Sequence, residues 1–138
     1  MLAAAPFPDR PITIVVYTGS GGLIDTTARQ FAQIAKRHFD ATLVIKNIPE
    51  GKGIAAMKYV LEGPADGYTL YAGTKSNVPK AITAGKTHYL TSLDWIALMM
   101  TDPECIVTRR DSAVAKWNDL VEHARAHPGE QIWVGPDT

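Results

Sequence analysis

Two short turns carry the residue types that could hold a ligand. The first, Thr18-Gly19-Ser20-Gly21-Gly22, supplies three glycines and two hydroxyls and is followed by Asp25. The second, Gly73-Thr74-Lys75-Ser76-Asn77, supplies a glycine, two hydroxyls, an amide and a cation. Glycine permits positive φ and lets a ligand come close to the main chain. A helix that starts just after such a turn begins with N–H groups lacking intrahelical acceptors, at the positive end of its dipole. A small anion, a carboxylate or a phosphate, suits that arrangement. The candidate ligand-binding residues are therefore Thr18, Gly19, Ser20, Gly21, Gly22 and Asp25, with Thr74, Lys75, Ser76 and Asn77. Asp25 stands where acids favour the helix dipole, so its expected task is to hold the first helical turn rather than to act as a base. Lys75 would form a direct ion pair with a carboxylate if it pointed inward; lysine is rarely buried, which argues for a solvated position.

Patterns for other chemistry are incomplete. Gly19-x-Gly21-x-x-Ile24 breaks the dinucleotide fingerprint at its third glycine, and Lys46-Asn47 closes the second apolar run without an acid to hold a ribose. No lysine-serine pair of the P-loop kind follows the first turn. His38, His88, His123 and His127 are scattered. His123 and His127 are four apart but lack a third metal ligand nearby. The expectation is a binding protein with no catalytic residues, no metal and no cofactor.

The elements that must position the two turns follow from periodicity. Ile12 to Val16 is a β-branched run, a buried strand. Leu23, Thr27, Ala28, Phe31, Ile34 and Ala35 recur at helical spacing as the expected inner face of a helix, with Arg29, Gln30, Gln33, Lys36 and Arg37 mostly opposite and basic residues in the last turns. Leu43-Val44-Ile45 is short and apolar, as a strand buried on both faces should be. Pro49-Glu50-Gly51-Lys52-Gly53 is a further glycine turn. Ile54, Met57, Val60 and Leu61 make a second helix with Lys58 and Glu62 outward, stopped at Gly63-Pro64. Tyr68 to Ala72 is the third strand. Strands alternating with helices imply a parallel sheet with right-handed crossovers. Loops at the carboxyl ends of neighbouring strands face one crevice, so the two candidate turns should converge there.

Composition excludes other classes. The 138 residues are 46% hydrophobic, enough for a core, and the formal net charge is zero from 14 basic and 14 acidic side chains. No basic stripe exists to follow a phosphate backbone, so no nucleic-acid partner is expected. No apolar run reaches the roughly 18 residues of a membrane span. Cys105, the one cysteine, lies in an apolar run and reads as a packed core residue. Leu2-Ala3-Ala4-Ala5 ahead of Pro6 reads as the small-residue tail of a removed signal peptide.

Several blocks then recur together in a recognisable order: Pro8-Asp9-Arg10-Pro11-Ile12, the glycine turn before Asp25-Thr26 and Ala28-Arg29, Gly51 to Ala56, Pro64 to Leu70, Gly73-Thr74, Trp95 to Leu98, and Ala126-His127-Pro128-Gly129. In that order the chain resembles the Bug family, the periplasmic solute-binding receptors of tripartite tricarboxylate transporters. The resemblance implies an α/β fold of the type II periplasmic-binding-protein kind, a parallel-rich sheet flanked by helices in two domains that close on a ligand. It implies capture of a small organic carboxylate, largely through backbone N–H groups and waters, and delivery to membrane transporter subunits, with no chemistry done. It divides the chain into residues 6–102, the first segment of domain one, and 103–138, the start of an incomplete domain two. The crossing falls at Thr101-Asp102-Pro103, a strand at Cys105 to Thr108, a helix through Trp117, Leu120, Val121 and Ala124, a strand at Gln131 to Val134, and a ligand-facing turn at Gly135 to Thr138. With half of the cleft absent, the chain alone need not bind. The first turn departs from the family, which is proline- and glycine-rich where this chain has Tyr17, Thr18, Ser20, Leu23 and Ile24. The alternative is an α/β nucleotide- or phosphate-binding enzyme module using the same turn.

Overall fold

The computed structural model describes residues 7–38, 40–101, 103, 105–130 and 132. The chain divides into two compact units, residues 1–95 and 96–138.

The first unit is built on a parallel sheet. β1 (Ile12–Val16), β2 (Leu43–Asn47) and β3 (Thr69–Ala72) stand in the order β2-β1-β3, with Ile14 opposite Ile45 on one side and Leu70 on the other. α1 (Leu23–Ala35) connects β1 to β2, and α2 (Ile54–Leu61) connects β2 to β3. The chain thus crosses first one way from β1 and then back past it. Crossovers of one hand made in opposite directions leave their helices on opposite faces. The core divides accordingly. Ile12, Ile14 and Val16 pack with Ala28, Ala32, Ala35 and Leu43 on the α1 side, while Val15 and Tyr17 pack with Ala56 on the α2 side. Central β1 is the strand buried on both faces, which is why its apolar run has little alternation.

Three local expectations are corrected by this packing. α1 buries Asp25, Ala28, Ala32 and Ala35, whereas Leu23, Phe31 and Ile34 are exposed. Small side chains let the helix axis approach the branched surface of β1 and β2, and the bulky residues are left on the flank. α1 also ends at Ala35, so Lys36 caps it and no basic residue lies within its last turn. β2 is an edge strand whose Val44 is exposed, so only one of its faces is buried, and it runs two residues further, through Lys46 and Asn47. Lys46 lays its ammonium 3.9 Å from the centre of the Tyr59 ring of α2.

The connection into α2 is a tight turn at Glu50–Gly53 in which Gly51, Lys52 and Gly53 all have positive φ, at 63°, 52° and 104°. α2 packs on β1 and β3 and buries Met57 completely. Lys58 and Glu62 are outward as expected and pair at 3.6 Å. After β3 come α3 (Asn77–Thr83) and α4 (Thr87–Thr91), the latter a short helix that periodicity did not announce.

The second unit holds α5 (Trp117–Ala126), where a helix was expected, with Leu120, Val121 and Ala124 half-buried and Trp117 exposed. Its start is boxed by Asp119, which accepts from the Lys116 main-chain N–H at 2.9 Å. Residues 105–108 form no strand: among the described residues they join no ladder, and Thr108 instead donates its hydroxyl to the Val114 carbonyl at 3.0 Å. Cys105, expected in the core, is exposed with Ile106 and Val107 for the same reason. The alanine tail at residues 2–5, the Asp102 crossing point, most of the strand expected at Gln131 to Val134, and the turn at Gly135 to Thr138 lie outside the described residues.

Candidate functional site

The carboxyl ends of β1 and β3 are neighbours, so the turns that follow them are brought side by side. The point of contact is Tyr17, the residue just beyond β1. Its Oη lies 2.6 Å from Thr74 Oγ1 and 3.3 Å from Ser76 Oγ, and the two alcohols are 2.8 Å apart. Only 5% of Tyr17 is exposed, because its ring is packed with Val15 and Ala56 on the α2 face.

The first turn is framed from below by Asp25. This carboxylate is 2% exposed and accepts from four donors. Arg29 Nε and Nη2 bond to Oδ2 and Oδ1, each at 2.9 Å, the Gly21 N–H bonds to Oδ2 at 2.9 Å, and Asn47 Nδ2 bonds to Oδ1 at 2.9 Å. The Asn47 amide also donates to the Thr18 carbonyl at 2.9 Å, tying the end of β2 to the turn. Gly21 has φ of 86°, the conformation that lets its N–H fold back onto Asp25. The Arg29 guanidinium first, then the Gly21 N–H and Asn47, hold the Asp25 carboxyl well below the usual carboxylate range, and the same pairing raises Arg29. Asp25 is thus committed to the frame of the turn.

Of the other predicted residues, Gly19, Ser20, Gly21 and Lys75 are exposed, Thr18, Gly22, Thr74 and Ser76 are half-buried, and Asn77 is buried. The Thr18 hydroxyl is buried against Gly22 and has no partner among the described residues. Fewer N–H groups face outward than the sequence suggested. Gly21 N–H is held by Asp25, Gly22 N–H by the Gly19 carbonyl at 3.2 Å, Thr74 N–H by Asn77 Oδ1 at 2.8 Å, and Asn77 N–H by the Thr74 carbonyl at 3.0 Å. A tight turn must satisfy its own amides before it can serve a ligand. Asn77 reaches further: its Nδ2 donates to the Lys52 carbonyl at 3.4 Å and so fastens the β3–α3 turn to the Gly51–Gly53 corner. Tyr71, on β3, has its hydroxyl buried with no partner among the described residues, and burial, with Tyr17 nearby, pushes that phenol up.

Tyr17, Arg29, Asn47 and Tyr71 were absent from the candidate set. A hydroxyl just beyond a strand was the available signal for Tyr17, and an amide at the last position of one for Asn47; nothing local marked Tyr71. No cluster of three or more metal-ligating side chains occurs among the described residues. His123 and His127 stack at 4.4 Å between ring centres on α5 and its cap.

The Asp25 frame makes a pH prediction. Asp25→Asn is expected to lower the melting temperature at pH 7, since the amide cannot replace the charged pairing with Arg29. The folded pKa lies below the unfolded value of about 3.9, so this stabilisation is present above about pH 4 and is lost as pH falls towards the folded value. Thermal melts from pH 7 to pH 2 should show the gap between the two proteins closing in the acid range. A gap that stays constant would contradict the assignment.

Comparison with known proteins gives the context for this geometry. Residues 27–135 match the tripartite tricarboxylate transporter family receptor. A UPF0065 protein of Bordetella pertussis is 30% identical over 92% of this chain and 40% of its own length, and one of a Pseudomonas species is 28% identical over 90% of this chain and 38% of its own length. A TctC solute binding protein from Polaromonas, solved without ligand, superposes with a TM-score of 0.54 at 27% identity, over 59% of this chain and 28% of that one. The chain spans about two fifths of the length of the curated relatives it matches. The parallel sheet flanked by helices resembles the periplasmic-binding-protein-like fold of that Polaromonas relative. With the family match running through most of its length, the chain belongs to the Bug family, the receptors of tripartite tricarboxylate transporters.

Proposed function

We propose that this chain forms the ligand-gathering lobe of a periplasmic receptor that captures a small organic carboxylate and presents it to the membrane subunits of a tripartite tricarboxylate-type transporter. The observation that carries the reading is the meeting of the β1–α1 and β3–α3 turns at the carboxyl end of the sheet, with Tyr17 and Thr74 in contact, in a chain of this family. The exposed Gly19 and Ser20 and the start of α1 present main-chain donors, and Thr74, Lys75 and Ser76 present hydroxyls and a cation. This set binds and orients; it contains no nucleophile held by a base. Residues 6–102 serve as the first segment of one domain, and 103–138 begin a second. Export to the periplasm follows from the same role.

The test is a thermal-shift screen of the protein against organic acids and nucleotides. A ligand that binds only the folded state at a hundredfold excess over its Kd stabilises by about 2.7 kcal/mol, a shift of several degrees. A carboxylate response without a nucleotide response supports the receptor. A nucleotide or phosphate response with silence towards acids overturns it in favour of a phosphate-binding module.

A further inference from the structure

Asn47, at the end of β2, stands outside both turns, yet it fixes the direction of one of their amides. A trans peptide unit is planar, with its C=O and N–H pointing opposite ways. The Thr18–Gly19 unit is trans, and the Thr18 carbonyl accepts from Asn47 Nδ2 at 2.9 Å. That carbonyl is therefore turned towards the end of β2. The Gly19 N–H, on the other edge of the same unit, is turned away from it, at an exposed residue.

The turn itself does not impose this direction. Gly19 tolerates φ of either sign, and a Cβ placed there would meet nothing within 4 Å. The steric restraints that usually fix a peptide unit are weak here. Turned over, the unit would aim a carbonyl outward in place of a donor, and an anion would be repelled. The next unit is held from within, because the Gly19 carbonyl accepts from the Gly22 N–H at 3.2 Å. In the second turn the Thr74 and Lys75 carbonyls likewise accept from the Asn77 and Val78 N–H groups, at 3.0 and 3.2 Å. Gly19 alone of these amides takes its direction from a side chain 29 positions away from Thr18.

The orientation of the Asn47 amide follows from its neighbours. Nδ2 lies 2.9 Å from the Thr18 carbonyl and 2.9 Å from Asp25 Oδ1, both acceptors, while Oδ1 lies 3.3 Å from Arg29 Nη2, a donor. Each N–H of the amide has one acceptor, and a flipped amide would set its oxygen against two.

We propose that Asn47 is a positioning residue of the receptor site, holding the Thr18 carbonyl inward so that the Gly19 N–H is presented to a carboxylate of the ligand. The inference rests on the receptor reading above and gives Asn47 a role that needs no contact with the ligand.

NMR of the isotope-labelled protein, titrated in turn with acetate, succinate and citrate at constant ionic strength, reads each amide separately. In the unaltered protein the Gly19 amide should exchange rapidly without acid, then shift and gain protection as a binding acid is added. In Asn47→Ala the affinity for that acid should fall about tenfold or more, the loss of a hydrogen bond to a charged group. At saturation the Gly19 amide should no longer shift, while that of Ser76 still does. Asn47→Asp, equal in size but unable to donate, should behave in the same way. A merely structural Asn47 would weaken binding without changing which amides move at saturation. The first arm uses the unaltered protein alone, so it holds even where a variant does not fold. A Gly19 amide protected without acid, unmoved by an acid that shifts Ser76, or shifting as before in both variants overturns the inference and leaves the receptor reading standing. Silence of both turns towards all three acids removes the receptor reading and the inference together.

Discussion

Gly53→Ala is expected to destabilise the protein by about 2–5 kcal/mol, the sum of two independent costs. The first is conformational: φ of 104° at Gly53 is a region that side chains rarely adopt. The second is steric. A Cβ at this position overlaps the Asn77 amide nitrogen and lies 3.3 Å from the Tyr71 hydroxyl. Asn77 is fully buried and bonded to Thr74 and Lys52, so it cannot swing aside without releasing the β3–α3 turn. Gly51→Ala is the control, since it shares a positive φ of 63° but its nearest neighbour would be Ile54 Cβ at an ordinary 3.7 Å. Denaturant melts should place Gly53→Ala well below Gly51→Ala. Equal losses would mean that Asn77 yields, and that the corner does not fasten the turn.

Met57→Ala is expected to cost about 2–5 kcal/mol, which for a domain of this size is roughly 10 °C or more of melting temperature. Met57 is the largest completely buried side chain among the described residues, on a helix that packs against β1, β3, α3 and α4. Truncating it loses transfer free energy and leaves a cavity that its surroundings fill only in part. Met57→Leu, close in volume, should cost less than about 1.5 kcal/mol. Circular-dichroism melts of the pair would show the difference. Similar losses in both would mean that shape rather than volume decides this position, and a small loss in Met57→Ala would mean that the α2 face is loosely packed.

Much of the architecture was legible from local pattern. The β-branched run at Ile12 to Val16, the glycine turns and the helical spacing of Ile54, Met57, Val60 and Leu61 depend on residues close in sequence, and each led to an element of the expected type. The parallel sheet followed because strands joined by helices of this length have few other ways to pair. The α1 face was misjudged because periodicity narrows a face to neighbouring stripes but does not choose between them. That choice depends on how closely the helix can approach the strands beneath, and the alanines won. The N–H groups of the turns were overcounted because the bonds a turn makes with itself are invisible until its φ and ψ are known.

The sequence by itself determined the three strands, the helices α1, α2 and α5, that the sheet is parallel, and that two glycine-hydroxyl turns lie at the same end of it, since these follow from composition and period. The tertiary structure alone decided that β1 is the middle strand, which places Tyr17 beside Thr74 across 57 positions of chain and Asn47 beside Asp25 across 22. Strand order is a property of long-range pairing, and no window of sequence contains both partners.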